Sequence, residues 1–463
     1  MNNEKILQIN KRSFITVCII LVSFMLLAYF LTFFVTKGVY HDLVYTPIEG
    51  KGYSVLKFVF APIRLLSSSD GIVVIVISLF ILILGGAFNV MDKTNGIYAL
   101  IAYLIEKFKN KKYILMYLVV LFFMLFGSLF GIFEESVTLL PIIILLALSL
   151  GWDTFTGLGM CVMAAGFGFS TALTNPFSIG LASEKMGITV VDGIWYRALI
   201  FILMYVLLCI FLTIHVKRIE KNPEASPTYK NDQEKIKNLS LNEFKEYNPK
   251  VLKTYLFLYL IILVIIFASS ILEPLKGLAT PILAISFLIG IFICGLIIGE
   301  KFKNLVKMFV DGFIAMSPAV ILLLLAGSIK YILEDSQIMD TIIYNLSSIL
   351  NNTSPIVGIL FIYAIILFIQ FFIGSASAKV LLIIPIISTL ATKINITQNI
   401  ALLAFVFGDG YTDLIYPTNP VLLIALGIAG FSYTKWLKKT FLLQLLILAI
   451  TVGLLILGYY IGY

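Results

Sequence analysis

The residues best suited to chemistry lie where four apolar stretches of the sequence are interrupted. The first interruption, GIFEES at 131–136, carries two adjacent carboxylates, Glu134 and Glu135. In an apolar surrounding a carboxylate is costly unless it is paired, protonated or bound to an ion. Either residue could therefore carry a proton, bind sodium or balance a cationic substrate, unless the pair lies on a water-exposed loop. Neighbouring residues of a helix point about 100° apart, so one of the two is expected to face the substrate.

A Thr-Asn-Pro motif occurs in two other interruptions, as Thr174 and Asn175 before one proline and as Thr418 and Asn419 before another. Proline lacks an N–H and unwinds the turn before it, which leaves free carbonyls. The half-helix after it offers N–H groups and the positive end of a dipole. The four side chains are therefore predicted to bind substrate or to complete a sodium shell, with a capped proline kink as the alternative.

Five further candidates come from the tip IGSASAK (373–379) and the stretch FGDGYTDLIYPTNP (407–420). Ser375 and Ser377 could cradle a substrate carboxylate, or they could serve close helix packing. Lys379 could pair with Glu134, Glu135 or Asp409, or it could occupy a cation site permanently. Asp409 and Asp413 are four residues apart and would share a helix face. Asp409, between two glycines, is favoured as ligand or proton carrier, whereas Asp413 could equally be structural.

The chain that carries these interruptions is too apolar to be soluble. Of its 463 residues 60% are hydrophobic and only 13% are charged, about half the charged fraction of an ordinary soluble domain. This composition excludes a soluble enzyme, a disordered chain and a secreted disulfide scaffold. The four cysteines and two histidines show no metal-binding or disulfide spacing. No cofactor or metal site is therefore predicted.

The elements that must position these residues are membrane helices. Runs of about 20 apolar residues can cross a bilayer, and simple runs lie at 14–35, 71–91, 194–215, 254–272, 282–299, 311–333 and 440–462. The interrupted regions are predicted to form an inner re-entrant hairpin (113–150), a broken helix (156–190), an outer re-entrant hairpin (355–392) and a second broken helix (398–430). Non-helical backbone at membrane depth persists only against protein or a water-filled cavity. The interruptions are therefore the strongest functional signal. Within 36–70, the mixed run 55–66 is expected to form an outer interfacial helix.

The two halves of the chain are related by an internal duplication. The offset that aligns Asn175 with Asn419 also aligns Pro141 with Pro385. We predict an N-terminal repeat (1–216), a cytoplasmic linker (217–253) and a C-terminal repeat (254–463). Most of the 33 Lys and Arg fall in alternate loops, which are therefore predicted to be cytoplasmic. This places the N-terminus on the inner side of the cytoplasmic membrane and the C-terminus on the outer side. In that layout of nine spans and two hairpins the repeats are inverted, as in secondary transporters.

Several segments resemble the YfcC/DcuC family, named for anaerobic C4-dicarboxylate carriers within the ion transporter superfamily. The similar stretches are GGAFNVMDKTNGI (85–97), GIFEESV (131–137), TNPF (174–177), GSASA (374–378) and FVFGDGYTDLIYPTNP (405–420). The resemblance, which runs from about residue 14 to 460, implies an all-α polytopic fold similar to the INDY-type symporters. That fold has inverted repeats, two re-entrant hairpins and two broken helices.

The resemblance also implies which side chains line the central site: Glu134, Glu135, Asn175, Ser375, Ser377, Asp409 and Asn419. It leaves the substrate open, because similar proteins include dicarboxylate carriers and arginine/ornithine-type exchangers. Lys379 departs from the family's outer tip, which usually carries a neutral polar residue there. This departure argues against a simple sodium site at that hairpin.

The predicted function is secondary active transport of a small carboxylate-bearing solute by alternating access. The charges in the apolar segments are mostly negative, with Glu134, Glu135, Asp409 and Asp413 against Lys330 and Lys379. This balance favours an amino acid as substrate, including exchange of basic amino acids. A C4-dicarboxylate transporter coupled to sodium or protons is the alternative, and a membrane enzyme or ion channel is less favoured. The expected partners are the solute and the lipid bilayer, with homo-oligomers left open and nucleic acid excluded.

Overall fold

The structure of the protein is a computed structural model, which describes residues 11–41, 44–68, 71–108, 111–134, 136–238, 247–271, 279–348 and 353–463. Backbone groups in a bilayer must bond within their own segment, so an apolar chain of this kind folds into helices. The first half contains α1 (Lys11–Phe34), α2 (Val55–Val59), α3 (Ala61–Arg64), α4 (Gly71–Lys93), α5 (Gly96–Phe108), α6 (Lys112–Leu125), α7 (Ser136–Ser149), α8 (Thr154–Leu158), α9 (Ala164–Ser170), α10 (Leu181–Met186), α11 (Ile194–Lys221) and α12 (Tyr229–Asn238).

The remaining helices lie in the second half of the chain. It contains α13 (Pro249–Ile271), α14 (Ala279–Ile298), α15 (Phe302–Ala315), α16 (Ser317–Asp335), α17 (Met339–Ser348), α18 (Pro355–Gln370), α19 (Ala376–Lys393), α20 (Gln398–Tyr411), α21 (Pro420–Ala429) and α22 (Tyr433–Tyr460). Seven helical segments of the described chain are long and apolar enough to cross a membrane. The predicted all-α membrane fold is confirmed.

Two local features were not predicted from the sequence. The run 55–66 is helical as predicted, but it is divided into the short helices α2 and α3, and an antiparallel hairpin of β1 (Lys37–His41) and β2 (Val44–Ile48) precedes it. Pro62 in the first turn of α3 has no N–H to continue α2. The single span expected at 311–333 starts earlier, at Phe302, and divides at Met316, where Pro318 begins the next helix.

All four interruptions are breaks between helices. The first hairpin is α6, extended by a π-helical turn at Phe126–Phe130, and α7; the second is α18 and α19. The first broken helix runs from α8 to α9, stops before Asn175, and resumes at Pro176. The second consists of α20 and a 3₁₀ turn (Thr412–Leu414), followed by α21 from Pro420. In both broken helices a proline occupies the first turn of the half-helix that resumes after the break, and the two hairpin breaks contain Gly131 and Gly374.

The helices α9 and α20 cross in a way that relates the two halves. A Cβ on Gly166 would lie 2.8 Å from Cγ of Leu414, and a Cβ on Gly410 would lie 2.4 Å from Cα of Ser170. The repeat offset pairs Gly166 with Gly410 and Ser170 with Leu414, so each contact is the counterpart of the other. Reciprocal contacts of this kind form around a two-fold axis, as an inverted duplication requires. The exact repeat boundaries remain predictions.

The segments predicted to face the cytoplasm gather at one end of the molecule. Glu220, at the end of α11, pairs with Lys112 at the start of α6 and accepts a hydrogen bond from Trp152 Nε1 at 3.0 Å. Asn231, in the linker helix α12, donates to the carbonyl of Gly430 at 2.9 Å. Two loops of the first repeat and one loop of the second thus meet the linker, to which Glu220 and Asn231 belong.

The segments predicted to lie outside gather at the other end. Arg197, near the start of α11, lies 3.4 Å from the hydroxyl of Tyr463, and the hydroxyl of Thr397 donates to the carbonyl of Tyr463. Helix α11 has 28 residues and therefore separates the two ends by about 42 Å. Which end faces the cytoplasm remains a prediction.

Candidate functional site

The first broken helix is held by the inner hairpin through backbone hydrogen bonds. The carbonyl of Ser128 accepts the N–H groups of Leu173, Thr174 and Asn175 at 3.0, 3.2 and 3.1 Å. The hydroxyl of Thr174 donates to the carbonyl of Leu129 at 3.0 Å. Backbone groups freed by the break are thus satisfied by the hairpin, which fixes the position of Asn175.

Asn175 is fully buried and caps the half-helix that follows it. Its Oδ1 accepts the N–H of Phe177 at 2.9 Å, whereas its Nδ2 has no hydrogen-bond partner among the described residues. Gly131 of the inner hairpin packs directly on this side chain, because a Cβ there would lie 2.3 Å from Oδ1. Gly131 also has a φ of +70°, a conformation that favours glycine.

Asn419 makes the same cap in the second repeat. Its Oδ1 accepts the N–H of Val421 at 2.9 Å, and the repeat offset pairs Val421 with Phe177. Its Nδ2, unlike that of Asn175, donates to Oδ1 of Asp413 at 2.6 Å. The amide of Gln370 donates to the same carboxylate oxygen at 2.7 Å. The second break therefore contains a carboxylate that two amide groups orient.

Lys379 and Asp409 form a buried ion pair beside this carboxylate. Their side chains are 0% and 1% exposed, and apart from this pair neither charged group has a hydrogen-bond partner within the described ranges. Asp413 lies one turn further along. Two buried carboxylates therefore face one buried ammonium, and the ion pair ties the outer hairpin to the crossing helix α20.

A cavity of about 50 Å³ lies between α4, α7, α21 and Met316, the residue that separates α15 from α16. Apolar side chains such as Phe88 and Ile424 form its walls, and Glu134 is the one charged group among the described residues that line it. Pro420 and Val421, directly after Asn419, form part of the same wall. The cavity thus connects the tip of the inner hairpin with the start of the second half-helix.

The structure brings some of the predicted site residues together and leaves others exposed. Lys379, Asp409, Asp413 and Asn419 come together, and Thr174 and Asn175 meet at the first break. Glu134 and Ser375 are exposed and Thr418 is half-buried. Glu135 and the side chain of Ser377 lie outside what the structure describes. The functional roles of all these residues remain predictions.

Two buried polar residues near the breaks were not singled out from the sequence. Gln370 orients Asp413 through its amide. Arg197, which is 1% exposed, donates to the carbonyl of Leu173 at 3.3 Å and to that of Asp192 at 2.9 Å, and so holds the backbone just before Thr174. The signal for both is the same: each is a lone polar residue within an apolar helix, where an unpaired polar group is costly.

A further buried polar cluster lies at the end of the molecule that holds the linker. Oδ2 of Asp153 lies 2.9 Å from Nε2 of His215 and accepts a hydrogen bond from the hydroxyl of Ser226 at 2.7 Å. His215 is buried, at the end of the apolar run predicted at 194–215. Because Ser226 donates to Asp153 rather than to His215, the three are not arranged to activate a nucleophile.

Comparison with known proteins identifies relatives over most of the chain. The protein is 27% identical to YfcC of Escherichia coli (strain K12), provisionally named a basic amino acid antiporter, over 403 residues, which are 83% of this chain and 78% of that one. It is 28% identical to an uncharacterized protein of Haemophilus influenzae over 363 residues, 78% of this chain and 71% of that one.

Two solved structures are similar in outline. The YdaH transporter of Alcanivorax borkumensis is 17% identical, with 96% of this chain and 99% of that chain covered and a TM-score of 0.43. MtrF of Neisseria gonorrhoeae is 13% identical, with 96% of each chain covered and a TM-score of 0.44. TM-scores this low support no inference about topology or substrate.

The sequence pattern of one family covers nearly the whole chain. The C4-dicarboxylate anaerobic carrier family, DcuC, matches residues 14–460. The matched region includes both hairpins, both broken helices and the linker. The chain is therefore a multi-pass membrane transporter that belongs to the DcuC family.

Proposed function

We propose that this transporter exchanges small amino acids, basic ones foremost, across the cytoplasmic membrane by alternating access. The observation that carries the proposal is the charge of the buried site. Asp409 and Asp413 supply two carboxylates, and Lys379 supplies one ammonium group, which is already paired with Asp409. With all three ionised, one negative charge remains for a cationic group of the substrate to balance.

At about 50 Å³ the cavity beside the second break is smaller than an amino acid in this conformation, so only the chemistry of its lining bears on the substrate class. A basic amino acid has an aliphatic stem, which matches the apolar walls, and a cationic head, which Glu134 could bind. Its α-carboxylate could be bound by N–H groups at the start of a half-helix, near Asn175 or Asn419. The provisional name of the Escherichia coli relative agrees with this assignment.

A C4-dicarboxylate is the second candidate. The family name and the unpartnered amide nitrogen of Asn175, a donor for a carboxylate, favour it. A doubly charged anion would nevertheless add two negative charges to a site whose buried lysine is already paired.

Counterflow in proteoliposomes tests the proposal. Vesicles are loaded with arginine, ornithine, aspartate or succinate, and the uptake of labelled arginine and labelled succinate is followed in each. We expect labelled arginine to accumulate in vesicles loaded with arginine or ornithine, and labelled succinate to remain at the level of protein-free liposomes. The exposed Lys230→Gln variant should behave like the wild type. Exchange of succinate with no exchange of any amino acid would overturn the proposal.

A further inference from the structure

We infer that the ammonium of Lys379 takes the place of a coupling cation at Asp409, so that exchange needs no sodium, and that removing this ammonium opens a sodium site. The inference rests on the proposed exchange function. It concerns the outer hairpin and helix α20, and it assigns to Lys379 a role in coupling rather than in binding the substrate.

The first support is the isolation of the ion pair. Lys379 and Asp409 are both fully buried, and each lacks any other side-chain hydrogen bond to the described residues. A carboxylate offers about four lone-pair sites and an ammonium three donors. Both groups therefore keep unused capacity, as a cation-binding carboxylate would. A lysine held only for stability would ordinarily use more of its donors, because unsatisfied buried donors are costly.

The second support is the position of the pair. Lys379 lies in the first turn of α19, where its N–H donates to the carbonyl of Ser375 at 3.1 Å. Asp409 is flanked by Gly408 and Gly410, which pack against Ile366 and Ser170 without room for a Cβ. The charge pair thus joins a hairpin tip to the helix crossing, where the coupling ions of such transporters bind. A tethered cation at that position cannot dissociate during the cycle.

The third support is the asymmetry between the repeats. By the repeat offset, Ala165 and Phe169 of α9 are the sequence equivalents of Asp409 and Asp413 in the second repeat. Helix α9 therefore has no carboxylate at the equivalent positions and no equivalent place for a cation. The charge of Asp409 is balanced within the described chain by Lys379, so no soluble cation is needed there.

The alternative is a purely structural ion pair, and it makes different predictions. Replacing one member of a buried pair is destabilising in either case. If the pair is only structural, sodium will not reverse the loss in a lysine variant. If Lys379 substitutes for a cation, a small neutral residue leaves a cavity beside a buried carboxylate, and sodium will bind there and restore part of the stability.

Sodium binding to purified protein in detergent provides the test. We expect the wild type to bind no ²²Na⁺ and to have the same Tm in sodium chloride and in choline chloride. Lys379→Ser should have a lower Tm in choline, a saturable rise in Tm with sodium, and one bound ²²Na⁺ per molecule. The double variant Lys379→Ser/Asp409→Asn should lose that binding. Lys330→Ser, which removes a membrane lysine that pairs with Glu334 at 3.4 Å, is the matched control and should bind no sodium.

Two results would overturn the inference: sodium binding by the wild type, or a folded Lys379→Ser variant without sodium binding. If Lys379→Ser does not fold, sodium binding is measured with Lys379→Gln instead. Absence of sodium binding by folded Lys379→Gln, or sodium binding by the wild type, would then overturn the inference. Failure of the proposed substrate would look different, because labelled succinate would then exchange while the sodium results remained unchanged.

Discussion

Asp409 and Asp413 are one helical turn apart but depend on different partners. Asp409 is paired with a single lysine, whereas Asp413 accepts two hydrogen bonds from neutral amides. A carboxylate opposite a charge and a carboxylate held by amides respond differently to neutralisation. We therefore propose that the charge on Asp409 compensates Lys379, while the charge on Asp413 is available for a substrate.

We expect Asp409→Asn to destabilise the protein by about 3–5 kcal/mol, because Lys379 remains buried without its counter-charge. The double variant Lys379→Met/Asp409→Leu should recover most of this loss. Thermal unfolding in detergent measures both.

Asp413→Asn is the contrasting variant. Its amide oxygen can still accept hydrogen bonds from Gln370 and Asn419, so the stability of the protein should change little. Arginine exchange should fall about tenfold, which corresponds to about 1.4 kcal/mol. Equal stability losses in the two single variants would contradict this assignment.

At the scale of elements, the half-helices α21 and 176–186 each begin at an asparagine cap. Both caps place Oδ1 on the N–H two residues ahead. The caps orient the half-helix N-termini towards the breaks, and any anion bound there would use the same positive dipole ends.

Asn175→Ala should cost about 1 kcal/mol through loss of its cap. Asn419→Ala should cost more, by about 1–3 kcal/mol, because Asp413 also loses a buried hydrogen-bond donor. Both values can be measured as shifts in unfolding temperature in detergent. Asn175→Asp keeps a capping oxygen and is the control. A larger loss for Asn175→Ala than for Asn419→Ala would show that the second cap does not support Asp413.

The described N-terminal part of the linker, up to residue 238, packs against both halves of the chain. Asp232 of α12 accepts from the backbone N–H of Thr154 at 2.9 Å, and Lys235 donates to the carbonyl of Ala429 at 2.7 Å. Helix α12 of the linker therefore joins the start of the first broken helix to the end of α21. Burial raises the pKa of Asp232 and lowers that of Lys235.

The linker contact should make stability sensitive to acid through Asp153. Burial raises the pKa of Asp153, but hydrogen bonds from His215, Thr156 and Ser226 and the charge of His215 outweigh burial and leave it below its usual value. A carboxyl whose pKa is lowered on folding stabilises the protein above its unfolded pKa of about 4, and this stabilisation is lost as the pH falls through the folded-state value.

Asp153→Asn is therefore expected to lower stability at pH 7 by about 1–3 kcal/mol, and its difference from the wild type should shrink below about pH 4. Unfolding temperatures at both pH values measure the effect. Asp192→Asn, at an exposed carboxyl whose interactions are screened by solvent, should change little. If the difference between Asp153→Asn and the wild type grows on acidification, the lowered pKa of Asp153 is wrong.

For the whole molecule, the long helix α11 separates two groups of loops. The linker group contains Glu220 and Asn231, and the opposite group contains Arg197 and the C-terminal Tyr463. This grouping fits the inverted arrangement and predicts that the two ends face opposite sides of the membrane.

Single cysteines at Lys185 and Lys230, both exposed, test this orientation. In a background without the four native cysteines, we expect Lys185→Cys to react with an impermeant thiol reagent from outside the cell. Lys230→Cys should react only after the membrane is opened. Labelling of both positions from the same side would contradict the proposed topology.

Local chemistry explains why much of this architecture can be predicted from the chain alone. Apolar runs, the prolines after Asn175 and Asn419, and the repeat offset are properties of neighbouring or regularly spaced residues. They suffice for the helices and the four breaks, and they predict a duplication. They do not reveal the hairpin of β1 and β2. Nor do they reveal that Pro62, in the first turn of α3, and Pro318, in the first turn of α16, divide helices that hydropathy treats as continuous.

Side-chain partners required the folded molecule. Lys379 had several candidate carboxylates in the sequence, and the packing of α19 against α20 selects Asp409. Gln370 reaches Asp413 across 43 positions, and Ser226 reaches Asp153 across 73. Such pairs depend on how helices cross, and the crossing is set by the shapes of whole helix faces rather than by any short stretch of sequence.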